Sequence, residues 1–303
     1  MSDKRGLIIL RGGDRSLHKS WLAGPEARTW SLHISYYGKN EQPDTCGQSD
    51  VTWSNDGGRS KYAGLAECLK NNDFDLERYD YIAIPDDDIL TSTKNWNRGF
   101  ELCRMYGLGA AQLANHIDSF FTQDITLARP NVRLRYVTRI ESQIPIFRTD
   151  VFKRLAEYFP KEGNLWGMDY VAPYVLRDEP RSMAILDEAV GLHTRAHGVG
   201  AMYAKHRAEK TDMFAIQSQF LQQTGIPEVP AEIVGALDLN GQEIASLWPL
   251  KRRRVRAKLQ QMWRERRGIV SIAHNDSKQL KTLRRFPGMP DLPLLSLDAA
   301  RSA

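Results

Sequence analysis

The segment Tyr79-Asp80-Tyr81-Ile82-Ala83-Ile84-Pro85-Asp86-Asp87-Asp88-Ile89 joins a short apolar run directly to three consecutive aspartates. Residues 79–85 read as a buried strand, and the acidic triplet stands at its carboxyl end. Three adjacent carboxylates repel one another unless a cation or hydrogen-bond donors compensate. The carboxyl end of a strand is also where open α/β sheets place their ligands. Alternate residues of an extended chain project the same way, so Asp86 and Asp88 are expected to face one site and Asp87 to face elsewhere. Hard oxygen ligands suit Mg2+ or Mn2+, which commonly hold phosphate oxygens as well. The pattern points to a metal-diphosphate site; a solvated acidic turn ahead of the next helix is the alternative.

The chain around this segment alternates apolar runs with helical stretches, the pattern of an α/β domain with a mainly parallel sheet flanked by helices. Residues 6–11 read as the opening strand. Residues 30–36 set Trp30, Leu32, Ile34 and Tyr36 against Ser31, His33 and Ser35, the period of a second strand with unlike faces. A helix is expected over 62–69, and the strand at 79–85 counts as the third. A helix over 95–106 stops at Gly107, and 134–147 is strand-rich. Residues 149–158 read as a helix with Thr149 as N-cap, and 182–187 as a short strand. No internal repeat is visible. After Thr224-Gly225 the composition shifts to Pro227, Pro230 and Gly235, and from 286 on the chain is Pro- and Leu-rich without periodicity. A catalytic domain over 1–225 and a C-terminal helical appendage over 226–303 follow.

With 303 residues, 42% hydrophobic and 26% charged, the chain can bury a substantial core, which excludes disordered and collagen-like classes. The three cysteines are odd in number and show no CxxC spacing, so neither a disulfide framework nor a zinc ribbon is expected. The apolar run at 7–10 is too short for a signal sequence or a membrane span, and a cytoplasmic location is expected. Net charge is +5, but residues 251–267 carry nine Lys/Arg against the single Glu265, so the body of the chain is slightly acidic.

Two chemistries commonly use a D-x-D pair. Haloacid-dehalogenase-type phosphatases place it on the first strand with Thr or Val two residues beyond the second Asp, where this chain has Leu90. GT-A-type glycosyltransferases instead hold a divalent ion with it, after roughly a nucleotide-binding half-domain. Arg78-Tyr79-Asp80-Tyr81 leading into Asp86-Asp87-Asp88-Ile89, Tyr36-Tyr37-Gly38, Pro145-Ile146-Phe147, Trp166-Gly167-Met168-Asp169-Tyr170, and Asp187 followed by His193 resemble the DUF707 family, whose members look like GT-A glycosyltransferases. The resemblance covers about residues 6–200. Leu165 stands where the family often has Gly, and His197 has no assigned counterpart.

The resemblance implies a GT-A-like fold, bound Mn2+ or Mg2+, and a nucleotide-sugar donor, with a UDP-sugar favoured. Arg11-Gly12-Gly13-Asp14 follows the first strand, where small residues let backbone approach a ligand; it lacks the dinucleotide-binding spacing. Arg11, Gly12 and Asp14 are candidates for donor binding, as are Tyr37 for stacking on the base and Lys61 for ribose or phosphate. Asp87 and Trp166 join that set. Each of Asp14, Tyr37 and Lys61 reads equally well as an ordinary turn residue. Asp169 resembles the catalytic base of inverting GT-A enzymes; a helix-start carboxylate is its alternative. His193 is implied as the third metal ligand, with His197 a fallback, and a structural histidine is the alternative. Glu141 and His116 are assigned to the acceptor side.

Over 250–268, Val255, Leu259 and Met262 recur at helical spacing beside Trp263 among basic residues. Such a helix suits peripheral contact with anionic lipid at the inner membrane face; packing on the domain with a solvated basic face is the alternative. Nucleic acid is not expected as a partner, since no aromatic-interleaved recognition module is visible. The functional expectation is metal-dependent transfer of a sugar to a glycan or lipid-linked acceptor in surface-polysaccharide or glycolipid assembly. The alternative is a non-catalytic sugar-nucleotide or polyanion-binding protein on the same fold.

Overall fold

A computed structural model describes residues 5–57, 60–160, 166–196, 198, 208, 212–252 and 255–272. His197, Leu165 and the stretch from 286 lie outside the described residues. Strands β1 (Gly6–Gly12), β2 (Trp30–Tyr36), β3 (Val51–Asn55), β4 (Tyr81–Ala83), β6 (Ala110–Asn115), β7 (Val132–Val137), β8 (Pro145–Arg148), β9 (Met183–His193) and β10 (Ile233–Asp238) form one mixed sheet in the order β10-β7-β9-β6-β8-β4-β1-β2-β3. The short β5 (Ile89–Leu90) pairs with the end of β9. Strands β7 and β8 run against the rest, and the others share one direction. The carboxyl ends of β1, β2, β4, β6 and β9 therefore line a single edge, joined there by the chain entering the reversed β8.

The alternation in β1 explains the layering. Leu7 and Ile9 join one core with Leu65 and Cys68 of α2 (Lys61–Asn71), with Val151, Phe152 and Leu155 of α4 (Thr149–Ala156), and with Val171 of α5 (Val171–Val175). Ile8 and Leu10 join a second core with Trp21 of α1 (Lys19–Leu22) and with Trp96, Phe100 and Cys103 of α3 (Thr93–Met105). Helices thus cover both faces, as a mainly parallel sheet requires.

Several expectations are corrected. The acidic strand is the fourth, because the edge strand β3 is mostly exposed and leaves little hydrophobic signal. Strand β2 has the expected bounds, and its polar side is largely buried: His33 sits between the hydroxyls of Thr52 and Ser54 at 2.9 and 3.0 Å, and burial holds its imidazole down at about 4. Thr149 is the first residue of α4 and not its cap; its hydroxyl donates to the Tyr79 carbonyl at 2.5 Å, tying the helix to the acidic strand. Strand β9 continues past 187, because an irregularity between its Leu186 and Val190 pairings carries it on to β5. Beyond 225, where the composition shifts, the chain still contributes to the sheet: α6 (Met213–Thr224) leads to β10, which pairs antiparallel with β7. A short α7 (Trp248–Lys251) and the basic helix α8 (Val255–Arg266) follow. Among the described residues no helix is long and apolar enough to cross a membrane.

Candidate active site

The acidic triplet leaves β4 at the shared edge, anchored by Ile84 N–H donating to the Pro145 carbonyl at 3.2 Å and Asp86 N–H to the Gln143 carbonyl at 2.8 Å. Next in the chain, β5 pairs Ile89 with His193 and Leu90 with Leu192, which brings the end of β9 against Asp88. Thr194 locks this junction, its N–H and hydroxyl donating to the Asp88 carbonyl at 3.1 and 2.8 Å.

One ligand atom from each of Asp86, Asp88 and His193 lies within 4.8 Å of the other two. His193 Nδ1 is 2.9 Å from the Phe120 carbonyl, which only accepts, so Nδ1–H donates to it, and Nε2 lies 3.4 Å from Asp88 Oδ2. Among the described residues, Asp88 Oδ1 is buried with no hydrogen-bond partner. Burial pushes the Asp88 carboxyl above the usual carboxylate range; His193 pulls it down, Asp86 and Asp87 push it up, and Arg195 pulls it down again. Two carboxylates and an imidazole nitrogen around an unsatisfied oxygen fit a divalent cation.

Asp87 is held by a partly different set of partners. Its Oδ2 accepts from the Tyr37 hydroxyl at 2.7 Å and from Gly13 N–H at 3.2 Å, while Arg195 Nη1 lies 3.1 Å from Oδ1. Arg195 also stands 3.9 Å from Asp88 Oδ2, so one guanidinium spans both carboxylates. Gly13 is required here: a Cβ would come within 2.8 Å of the Tyr37 ring.

Asp86 Oδ1 is held by Lys61 Nζ at 2.6 Å, and the same ammonium donates to the Ser142 carbonyl at 2.5 Å. The Tyr62 hydroxyl donates to Ser142 Oγ at 2.6 Å, and Ser142 Oγ donates to Asp169. Asp169 lies on the single turn Met168–Tyr170, which follows Gly167 at φ 106°. Burial raises its carboxyl above the ordinary range, while Ser142, Arg139 and Lys61 pull it down. A small cavity brings Asp169 together with Glu141, Ser142 and Tyr62. The structure therefore joins Asp86, Lys61, Ser142 and Asp169 in one hydrogen-bonded chain from the acidic cluster to this cavity.

No family model matches the chain, and no curated protein does. Solved structures of S. aureus TarS show partial likeness. A fragment of residues 1–349 is 10% identical, with a TM-score of 0.45 over 62% of this chain and 59% of that one. The same fragment with UDP-GlcNAc is 10% identical, with a TM-score of 0.48 over 74% and 67%. With UDP it is 9% identical, with a TM-score of 0.41 over 61% and 58%. The chain thus spans about three-fifths of the first of these, and the site is read from its own residues.

The remaining candidates fall in different places. Arg11 is buried, stacks 5.0 Å from the Tyr37 ring centre and donates to Ser35 Oγ at 3.1 Å, so it supports Tyr37 from beneath. At Gly12 a Cβ would meet Ile34 and Leu10 at 3.3 and 3.4 Å, a packing constraint of the strand itself. The Asp14 carboxylate is engaged in the adjacent turn, accepting from the Tyr36 hydroxyl and from Lys39 N–H at 3.0 Å. Trp166 is partly buried beside Gly167. His116 is buried in the segment after β6, where Nδ1 accepts from Asp118 N–H at 3.2 Å. Asp187 forms a fully buried ion pair with Arg135 at 2.8 Å and accepts from Arg129 N–H at 2.7 Å, a structural role in β9. Sequence reasoning missed Arg195, Ser142 and Tyr62. Arg195 lies two residues past His193, and period two alone would have put both on one side.

Proposed function

We propose that the protein is a metal-dependent GT-A-like glycosyltransferase that moves a sugar from a nucleotide-sugar donor to a glycan or lipid-linked hydroxyl. The observation that carries this reading is the convergence of Asp86, Asp88 and His193 around an unsatisfied buried oxygen, connected through Lys61 and Ser142 to Asp169. Asp86, Asp88 and His193 would hold Mn2+ or Mg2+, which when bound supplies positive charge to the departing diphosphate. Arg195 and Lys61 are the chain's own cations at that position, and each can donate to phosphate oxygens. Tyr37, supported by Arg11 and fixed to Asp87, is the aromatic surface for the base.

Asp169 is assigned as the base. Ser142, itself receiving the Tyr62 hydrogen bond, orients its carboxylate, and burial makes it more basic than an exposed aspartate. As the acceptor oxygen bonds to the anomeric carbon, its proton passes to Asp169. The anomeric carbon–oxygen bond breaks, and its electron pair leaves with the diphosphate. A single displacement of this kind inverts the anomeric configuration.

Calorimetry with nucleoside diphosphates, UDP first, in the presence and absence of Mn2+ tests the reading. Metal-dependent binding by the native protein and its loss in a folded Asp88→Asn variant are expected. Unchanged affinity in that variant overturns the metal assignment. Donor turnover with a saccharide acceptor separates an enzyme from a binding protein on the same fold.

A further inference from the structure

Helix α8 is docked by its polar side. Gln260 Nε2 donates to the Asp118 carboxylate at 2.7 Å, Gln261 Oε1 accepts from Phe121 N–H at 3.1 Å, and Arg264 Nη1 donates to the Asp118 carbonyl at 2.6 Å. Ala257, on the same side, packs with Phe121 and Leu127. At about 100° per residue, Val255, Leu259, Met262 and Trp263 fall on the opposite side. They are 61, 59, 39 and 50% exposed. The usual arrangement of a surface helix is therefore inverted: its polar side faces the protein and its apolar stripe faces outward.

We infer that this outward stripe is a docking surface for an anionic lipid bilayer. Charge decides the occupant. Residues 251–267 carry nine Lys/Arg and one Glu, so a second copy would bring like charges together, whereas an anionic surface neutralises them. A phosphodiester backbone would satisfy the cations but leave the apolar stripe in water, while the interface of a bilayer accepts both. The aromatic residues suit that depth: Arg267 lies 4.2 Å over the Trp263 ring, and Arg252 lies 5.0 Å over Trp248, which is itself 67% exposed. The surface is tied to the acidic site without depending on the transfer reaction. Just beyond α8, Ile272 N–H donates to the Thr194 carbonyl and Ala196 N–H to the Val270 carbonyl, both at 2.8 Å, next to His193 and Arg195. A bilayer under α8 therefore lies near the acidic cluster.

Sedimentation of the full chain with vesicles of pure phosphatidylcholine, and with vesicles containing about one-third phosphatidylglycerol, tests this. Each basic residue near the surface strengthens attachment about fivefold, so binding to the anionic vesicles alone is expected, weakening at high salt. Leu259→Glu with Trp263→Glu, both at exposed positions, should weaken it at least tenfold with an unchanged circular dichroism spectrum. The milder Leu259→Ser with Met262→Ser should weaken it in the same direction. Failure of the full chain to bind anionic vesicles overturns the inference, as does equal binding by the folded variants. Binding that appears only after removal of residues 273–303 overturns it in favour of the tail as occupant. A dimer in light scattering that the Glu variant dissolves overturns it in favour of a second copy.

Discussion

Replacing Glu141 by Gln should change how stability depends on pH more than it changes the structure. Glu141 is 5% exposed; its Oε1 accepts from the Thr122 hydroxyl at 2.6 Å, and among the described residues its buried Oε2 has no close hydrogen-bond partner. Burial pushes the carboxyl from 4.5 up to about 8, with Thr122 pulling it down and Asp169 pushing it up. The native state therefore holds a proton that the unfolded chain releases near 4.5. The stabilisation is fully present below that pH and is lost as pH rises towards about 8. Each pH unit in that window removes about 1.4 kcal/mol, so roughly 4 kcal/mol disappears between pH 5 and pH 8. Glutamine matches the protonated acid in shape, keeps an acceptor for Thr122 and has no proton to lose. Urea unfolding of both proteins at pH 5, 6, 7 and 8 should show the variant gaining on the parent steadily across the series. Parallel stability profiles would refute the neutral, buried carboxyl.

Asp169→Asn should leave metal and nucleotide affinity near the parent values and lower kcat by about two to four orders of magnitude, with inverted product from the residual activity; near-normal kcat or retained configuration removes it as the base. Arg195→Met should weaken nucleoside diphosphate binding about tenfold to a hundredfold, the worth of charged hydrogen bonds to phosphate, as read by calorimetry; an unchanged Kd denies Arg195 that role. Asp187→Asn should cost about 3 to 5 kcal/mol in urea unfolding, because Arg135 would remain buried without its counter-charge; a loss within experimental error would mean that the pair is dispensable.

The parts of the fold visible in the sequence are those whose signal is local. Strand β2 falls on the residues whose alternation announces it, and α2 and α3 lie within two residues of their expected bounds. Strand β3 was hidden because it is an edge strand with a single buried residue, so its pairing with β2, and not its composition, makes it a strand. The acidic triplet was legible because alternation alone separates Asp86 and Asp88 from Asp87. Lys61 was a candidate for ribose or phosphate, but its bond to Asp86 depends on α2 packing over the sheet edge. The link from Ser142 to Asp169 joins residues 27 apart, and no periodicity encodes such a contact. In α8 the apolar spacing is plain, but which side faces the protein is decided by Asp118 and Phe121, far away in the chain.

Asp87 and Asp88 are buried and Asp86 is partly so, and the partners of the three favour the proposed metal site over a solvated acidic turn. In a solvated acidic turn, water would satisfy each carboxylate. Here Lys61 answers Asp86, while Tyr37, Gly13 and Arg195 answer Asp87. Asp88 meets the edge of Arg195 at 3.9 Å and His193 Nε2 at 3.4 Å, with one oxygen left without a hydrogen-bond partner among the described residues. A proton at this point could satisfy one oxygen or one nitrogen. A divalent cation would satisfy Asp86, Asp88 and His193 together, and on the proposed function it would free Lys61 to turn from Asp86 towards an incoming phosphate. That exchange of cations would give the proposed metal and donor a physical reason to bind together.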